Sequence, residues 1–187
     1  MFTFKNNYYL YIDNTKLLNL NLIKKRSKFN IIYRNNLKDN NFERLRIFRN
    51  RCKKKSIKFF IANDFKLFQK IKADGLYISS YNKSLKYLNY KVVKIGSAHD
   101  TKEINTKILQ GCKSIIFSRL FKTDYKNKRS YLGVVKFNLI TYQNKGSLVP
   151  LGGIRLNNLN KLNKVNANAF VLMSEIKKKP AVISRLF

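Results

Sequence analysis

The sequence predicts an α/β chain folded as a small (β/α)8 TIM barrel, a single domain over residues 1–187. Three observations predict it. Short apolar runs alternate with amphipathic helical stretches along the whole chain. Eight such units recur at a spacing of about 20–25 residues, which implies parallel strands joined by right-handed crossovers. Polar residues also recur just past the C-terminal ends of the strands: Arg34, Asn63 and Asp64, Ser79, Ser97 and His99, Thr123 and Lys126, Gly153 and Ser174. A barrel gathers all of those ends around one mouth, which favours it over a doubly wound open sheet. The chain is short against the usual ~250 residues of such barrels.

The elements follow in order. Tyr8–Asp13 is the first strand, with helical spacing in Leu17, Leu18, Leu20, Leu22 and Ile23 behind it. Phe29–Arg34 is the second, and its helix carries Phe42, Leu45, Ile47 and Phe48 into a basic run that ends at Ser56. Ile57–Ala62 is the third, followed by a short helix with Leu67, Phe68 and Ile71. Gly75–Ile78 is the fourth, with Leu85 and Leu88 beyond it. Lys91–Ile95 is the fifth and runs into Gly96-Ser97-Ala98-His99. Asp100 or Thr101 can cap the next helix and Glu103 sits in its first turn. Ile104, Ile108 and Leu109 are expected on its inner face, and Gly111 closes it.

Ser114–Phe117 is the sixth strand, and a polar loop runs from Lys122 to Ser130. A helix through Val134, Val135, Phe137, Leu139 and Ile140 comes next. The seventh unit is Val149-Pro150-Leu151-Gly152-Gly153-Ile154, followed by Leu156, Leu159 and Leu162 at spacings of three. A strand that breaks at two glycines and opens a helix can bring backbone N–H groups close to an anion. An ordinary tight turn accounts for the same residues. Ala169–Met173 is the eighth strand, and Val182, Ile183, Leu186 and Phe187 fit a final helix.

Composition narrows the function. No apolar run approaches the roughly 20 residues of a membrane span, and the first dozen residues lack the shape of a cleavable signal. Cys52 and Cys112 lie far apart, and with a single histidine they make no zinc site of the usual spacing. A reduced, cytoplasmic setting is the economical expectation. The net charge is +31, from 40 Lys+Arg against nine Asp+Glu. That surplus usually points to nucleic acid. Here Lys and Asn are spread over strands, helices and loops alike, as in the drift of an AT-rich genome. The runs Lys24-Lys25-Arg26, Lys53-Lys54-Lys55 and Lys177-Lys178-Lys179 are best taken as solvated surface. Nucleic acid is therefore not the expected partner, and homo-oligomerisation stays open.

Few residues can carry chemistry. Asp64, with Asn63 beside it, is the best metal candidate, since Mg²⁺ needs few protein oxygens and takes the rest from phosphate and water. An N-cap for the helix that starts at Phe65 explains Asp64 about as well. Asp74 precedes Gly75 at a strand start, where a turn role fits better. His99 is the sole imidazole and the candidate for proton transfer. Ser97 can bond an anionic oxygen, and Arg34 and Lys126 can contact phosphates.

Read together, these stretches resemble the thiamine phosphate synthase and TenI family of small (β/α)8 barrels. Asn63-Asp64 and Ala73-Asp74-Gly75-Leu76-Tyr77-Ile78 match its Asn-Asp and Ala-Asp-Gly-Val-His-Leu segments. Ile95-Gly96-Ser97-Ala98-His99 matches Gly-x-Ser-x-His, and residues 111–126 resemble its Gly-Ala-Asp-Tyr to Thr-x-Thr-Lys stretch. Leu132-Gly133, Pro150–Ile154 and Asn166–Ile176 follow in the family's order. The resemblance implies a transferase that joins hydroxymethylpyrimidine diphosphate to thiazole phosphate and releases pyrophosphate. It implies Mg²⁺ at Asp64, with Asn82 in the place of the second metal carboxylate. Arg34, Ser97 and Lys126 would take the pyrophosphate. Asn63 and Thr123 would lie beside the substrates, and Gly152, Gly153, Met173 and Ser174 would cradle the thiazole phosphate.

Several motif residues differ. The family's Gln-x-Arg-x-Lys stands here as Ile32-Tyr33-Arg34-Asn35-Asn36, its Gly-Gln-Glu-Asp as Ser79-Ser80-Tyr81-Asn82, and the second Thr of Thr-x-Thr-Lys is Tyr125. The phosphate end is kept and the metal and pyrophosphate end is thinned, so impaired transfer is one expectation. A TenI-like thiazole tautomerase using His99 is the alternative, and a non-catalytic barrel that binds a phosphorylated ligand or RNA is a third.

Overall fold

The computed structural model describes residues 7–22, 29–34, 42–124 and 130–173. Eight parallel strands close into a barrel in chain order: β1 Asn7–Ile12, β2 Phe29–Tyr33, β3 Lys58–Ala62, β4 Gly75–Ile78, β5 Lys94–Ala98, β6 Ser114–Ser118, β7 Ser147–Leu151 and β8 Ala169–Leu172. Helices α1 Phe42–Lys54, α2 Phe65–Ile71, α3 Thr101–Leu109 and α4 Gly133–Gln143 lie between them. The (β/α)8 barrel predicted from the alternation is thus the fold. Among the described residues no helix is long and apolar enough to cross a membrane.

The strands read as near-continuous apolar runs because both of their faces are covered. Successive side chains point to opposite faces, so each strand feeds two cores. One set fills the barrel: Tyr9, Tyr11, Ile32, Phe60, Tyr77, Ile95, Ile116, Val149, Ala169 and Val171. The other set, including Leu10, Ile31, Phe59, Leu76, Ile115, Leu148 and Phe170, packs against the helical layer through Leu45, Phe48, Cys52, Ile104, Phe137 and Leu162. Four of these interior residues are aromatic, and the Tyr11 hydroxyl donates to the Tyr77 hydroxyl at 2.8 Å.

The connecting layer departs from the sequence pattern in several places. After β1 the chain makes two 3₁₀ turns, Thr15–Leu17 and Leu20–Leu22, rather than one helix. After β4 it makes a 3₁₀ turn, Leu85–Asn89, that buries Tyr87 and leaves Leu85 and Leu88 exposed. After β7 the leucines at spacings of three form a 3₁₀ helix, Leu156–Lys164, that buries Leu159 and Leu162. Leu156, at the start of that helix, is exposed. Ile47 on α1 is exposed, and the buried stripe there is Leu45, Phe48, Arg49 and Cys52.

On α3 the expected inner face of Ile104, Ile108 and Leu109 is corrected to Ile104 and Lys107. Ile108 and Leu109 face outward. Lys107 holds the inner position because its amine is satisfied there, by the Asn82 carbonyl at 2.7 Å and Gln110 Oε1 at 2.9 Å. Lys94 does the same from β5, donating to the Tyr87 carbonyl at 2.7 Å. Two buried lysines therefore fasten the 82–88 segment to the barrel wall. On α4 only Phe137 is fully buried, while Val135 and Leu139 are exposed. The expected final helix, Val182 to Phe187, lies outside the described residues.

Candidate active site

The side chains that face the barrel interior emerge at its C-terminal mouth. Two residues beyond an interior position, the chain still points inward. Ile32 leads to Arg34, Ile95 by way of Ser97 to His99, Ile116 to Ser118, and Val171 to Met173. These residues line a cavity of about 270 Å³ together with Arg119, Thr123, Leu151, Gly152, Gly153 and Ile154. The cavity is where a (β/α)8 barrel places its chemistry.

Arg34 is held over the floor of this cavity. Its backbone N–H extends the β1–β2 ladder by donating to the Ile12 carbonyl at 2.8 Å. Its guanidinium lies 5.3 Å from the centre of the Tyr11 ring, a cation–π contact. Burial, and then the neighbouring Tyr77, raise the Tyr11 phenol well above its usual 10.0, against a smaller opposite pull from Arg34. The phenol is thus a neutral support for the cation.

His99 is fixed from two directions. Its backbone N–H donates to Glu103 Oε2 at 2.7 Å, and the Glu103 N–H donates to Asp100 Oδ1 at 2.8 Å as α3 begins. Its ring Nδ1 lies 2.7 Å from Ser118 Oγ. Ser118 escapes notice in the sequence because the apolar run of its strand stops at Phe117. The signal that finds it is the period of two after Ile116.

The glycine turn has a specific structural cause. Gly152 and Gly153 have φ of +99° and +67°. A Cβ on Gly153 would run into the carbonyl oxygens of Phe121 and Lys122, and one on Gly152 would meet the Arg119 stem at 3.0 Å. The 119–121 segment comes this close because it continues the β6–β7 ladder, with Leu120 N–H on the Leu151 carbonyl at 2.9 Å and Phe121 N–H on the Gly152 carbonyl at 3.0 Å. Arg155 and Asp124 tie the same two segments by an ion pair at 2.6 Å. The hydroxyl of Thr123, beside this turn, is buried with no hydrogen-bond partner among the described residues.

Of the expected site residues, Arg34, His99, Thr123, Gly152, Gly153 and Met173 come together at this cavity. Ser97 is buried on β5 and is not among its lining residues. Lys126 and Ser174 lie outside the described residues. Asn63, Asp64 and Asn82 belong to a different cluster at the ends of β3 and β4. Asn63 Oδ1 accepts from Ser79 N–H at 3.0 Å and Asn82 Nδ2 at 3.2 Å, while its Nδ2 donates to Ser79 Oγ at 2.8 Å and the Tyr81 hydroxyl at 2.9 Å. Asp64 Oδ1 accepts the Leu67 N–H at 2.8 Å and caps α2. Asn82 Nδ2 also donates to the Tyr87 hydroxyl at 3.0 Å, and its Oδ1 accepts from Ser84 N–H at 3.2 Å.

This second cluster does not fit a divalent cation. Hard cations ask for carboxylate or carbonyl oxygens aimed at one point. Here Asp64 Oδ1 is used by a helix N-terminus, which leaves the cluster a single carboxylate oxygen, and the neutral Asn82 spends its oxygen within its own loop. Among the described residues no three of His, Cys, Asp and Glu are grouped so as to hold a metal. The cysteines add no nucleophile, since burial pushes the Cys52 thiol up to about 12 and the Cys112 thiol up to about 11.

Known proteins share this architecture. A thiamine phosphate pyrophosphorylase from Pyrococcus furiosus superposes with a TM-score of 0.74 at 15% identity, over 97% of this chain and 94% of that one. KGPDC from Streptococcus mutans gives 0.67 at 11%, over 97% and 94%. The YdjI aldolase from Escherichia coli K12 gives 0.66 at 10%, over 97% and 85%. At such identities the likeness is one of fold. No curated protein matches the chain in sequence. The model of the thiamine monophosphate synthase family, by contrast, matches residues 18–176. That span runs from just after the first turn behind β1 to just past β8 and takes in every described residue of the cavity, so the chain belongs to the thiamine monophosphate synthase (TMP-TENI) family.

Proposed function

We propose that this barrel acts on a phosphorylated thiazole in thiamine biosynthesis, as a transferase that joins it to hydroxymethylpyrimidine diphosphate and releases pyrophosphate. The observation that carries the reading is the cavity, which sets a guanidinium, Arg34, and a glycine turn, Gly152–Gly153, around one space of about 270 Å³. Two anionic substrates need two such places. The thiazole phosphate sits against the glycine turn, after the seventh strand, where barrels commonly bind phosphate. The buried Thr123 hydroxyl supplies a hydrogen bond that the described residues leave unmade. Arg34 takes the departing diphosphate in the paired geometry that a guanidinium offers.

In the reaction the thiazole nitrogen gives its electron pair to the pyrimidine methylene carbon. The bond from that carbon to the diphosphate oxygen breaks, and pyrophosphate leaves with the bonding pair. Little proton transfer is needed, so positioning and charge stabilisation carry the rate. Asp64 and Asn82 do not fit magnesium, since between them they leave it one uncommitted carboxylate oxygen.

His99, held by Ser118, favours a second reading: a TenI-like tautomerase that moves a proton between two atoms of a thiazole carboxylate phosphate. Two assays on wild type and His99→Ala, pyrophosphate release and thiazole tautomerisation, separate the two. Purified protein is given both synthase substrates, with and without Mg²⁺, and pyrophosphate is measured. The transferase reading expects release of pyrophosphate that survives His99→Ala. No product at stoichiometric enzyme would sink it, and tautomerisation lost in His99→Ala would support the second reading.

A further inference from the structure

We propose that Ser118 is the positioning residue for His99, holding the neutral ring with its proton on Nδ1 so that Nε2 faces the cavity as the working nitrogen. The inference rests on the second reading, in which His99 moves a proton. Its ground is the 2.7 Å contact between Ser118 Oγ and His99 Nδ1, with both residues lining the same cavity.

A hydroxyl next to Nδ1 can donate or accept, and the chemistry decides which. If Ser118 donated to a bare Nδ1, the ring could gain no proton there without breaking the contact, and its Nε2 would already carry one. If Ser118 accepts from Nδ1–H, the contact survives the whole cycle. Nε2 takes a proton from a carbon of the bound ligand, whose bonding pair stays on the ligand. The ring is then imidazolium, and Nδ1–H still donates to Ser118. Nε2 returns the same proton to a different atom of the ligand, and the neutral ring is restored. No oxidant, reductant or second substrate enters the balance. The backbone clamp from Glu103 fixes where the ring is attached, while Ser118 fixes how it is turned.

The chain has one histidine, so a ¹⁵N spectrum of its imidazole reports His99 alone. With uniformly ¹⁵N-labelled protein, at a pH where the ring is neutral, the wild type is expected to show a protonated Nδ1 and a bare Nε2. Ser118→Ala is expected to shift the balance toward Nε2–H, and Ser118→Thr, which keeps the hydroxyl, to restore it. Activity on a thiazole carboxylate phosphate is expected to fall about 10- to 100-fold in kcat for Ser118→Ala, with KM little changed. A wild-type ring protonated on Nε2, or a tautomer balance that Ser118→Ala leaves untouched, overturns the assignment. The wild-type spectrum alone decides the first of these, whatever the variants do to folding. Tautomerase activity that survives His99→Ala would instead sink the second reading of function, leaving the Ser118 contact to be judged by the spectrum.

Discussion

Asp64 stands where a barrel places its chemistry, yet the hydrogen bond it makes is that of a helix cap. Its side chain accepts from Leu67 N–H at 2.8 Å, one of the N–H groups that a helix leaves without an internal partner. Asp64→Ala should therefore cost about 1 kcal/mol of stability, while Asp64→Asn, also a good cap, should cost only a few tenths. Urea denaturation of the three proteins checks this. Equal stability of Asp64→Ala and wild type would mean that the cap is idle and the carboxylate is kept for something else. Much of the site was legible in the sequence at this scale. Arg34, His99, Thr123, Gly152, Gly153 and Met173 all follow strand ends; the period of two brings Arg34, His99 and Met173 inward, and the loops after β6 and β7 bring Thr123 and the two glycines to the same mouth. What could not be read is where a polar side chain spends its hydrogen bonds. Asn63 and Asn82 sit at equally promising strand ends, but their amides are used on each other and on Ser79, Tyr81 and Tyr87. The partners of the Asn63 amide lie 16 to 19 residues away along the chain and come within reach only because β3 pairs with β4, while Asn82 reaches Tyr87 five residues on.

At the level of elements, the eight strands were legible and most of their partners were not. A strand buried on both faces announces itself as an apolar run, whatever it packs against. A short connecting segment does not, because its apolar residues can be spent on either flank. Ile108 and Leu109 follow Lys107 on α3, and the lysine took the inward position only because Asn82 and Gln110 accept from its amine there. The glycine turn after β7 shows the same dependence. Its glycines suit an anion, but what makes them necessary is the 119–122 backbone lying where side chains would stand. Gly153→Ala should thus unfold the turn as well as weaken the site. Positive φ costs about 1–2 kcal/mol for a residue with a Cβ, and the clash with the Phe121 and Lys122 carbonyls adds to it, for a total of roughly 2–4 kcal/mol. A thermal melt of Gly153→Ala measures the loss. A melt unchanged from wild type would show that residues 119–122 can withdraw, and that the glycine serves the ligand alone.

For the molecule as a whole, the surplus of positive charge is the dominant physical fact after the barrel itself. Among the described residues, Arg46–Glu43 and Arg155–Asp124 are surface pairs worth little, and Arg49–Asp74 is the more buried pair. A formal charge of +31 on 187 residues is left to repel itself. Unfolding moves those charges apart, so repulsion destabilises the compact state, and mobile ions screen it over about 10 Å at 0.1 M. The fold should accordingly grow more stable as salt is added. Between about 20 mM and about 0.5 M NaCl, a gain of 1–2 kcal/mol would raise the melting temperature by roughly 2–8 °C for a chain of this size. Sodium chloride is the right salt for the test, because sulfate strengthens burial by a separate route. A melting temperature that stays flat, or falls, over that range would mean that the cations are already compensated in the native state, by the arrangement of the surface or by a bound polyanion carried through purification. A ratio of absorbance at 260 nm to that at 280 nm above the value for protein alone would then identify the polyanion as nucleic acid, and its loss in high salt would return the melt to the expected rise.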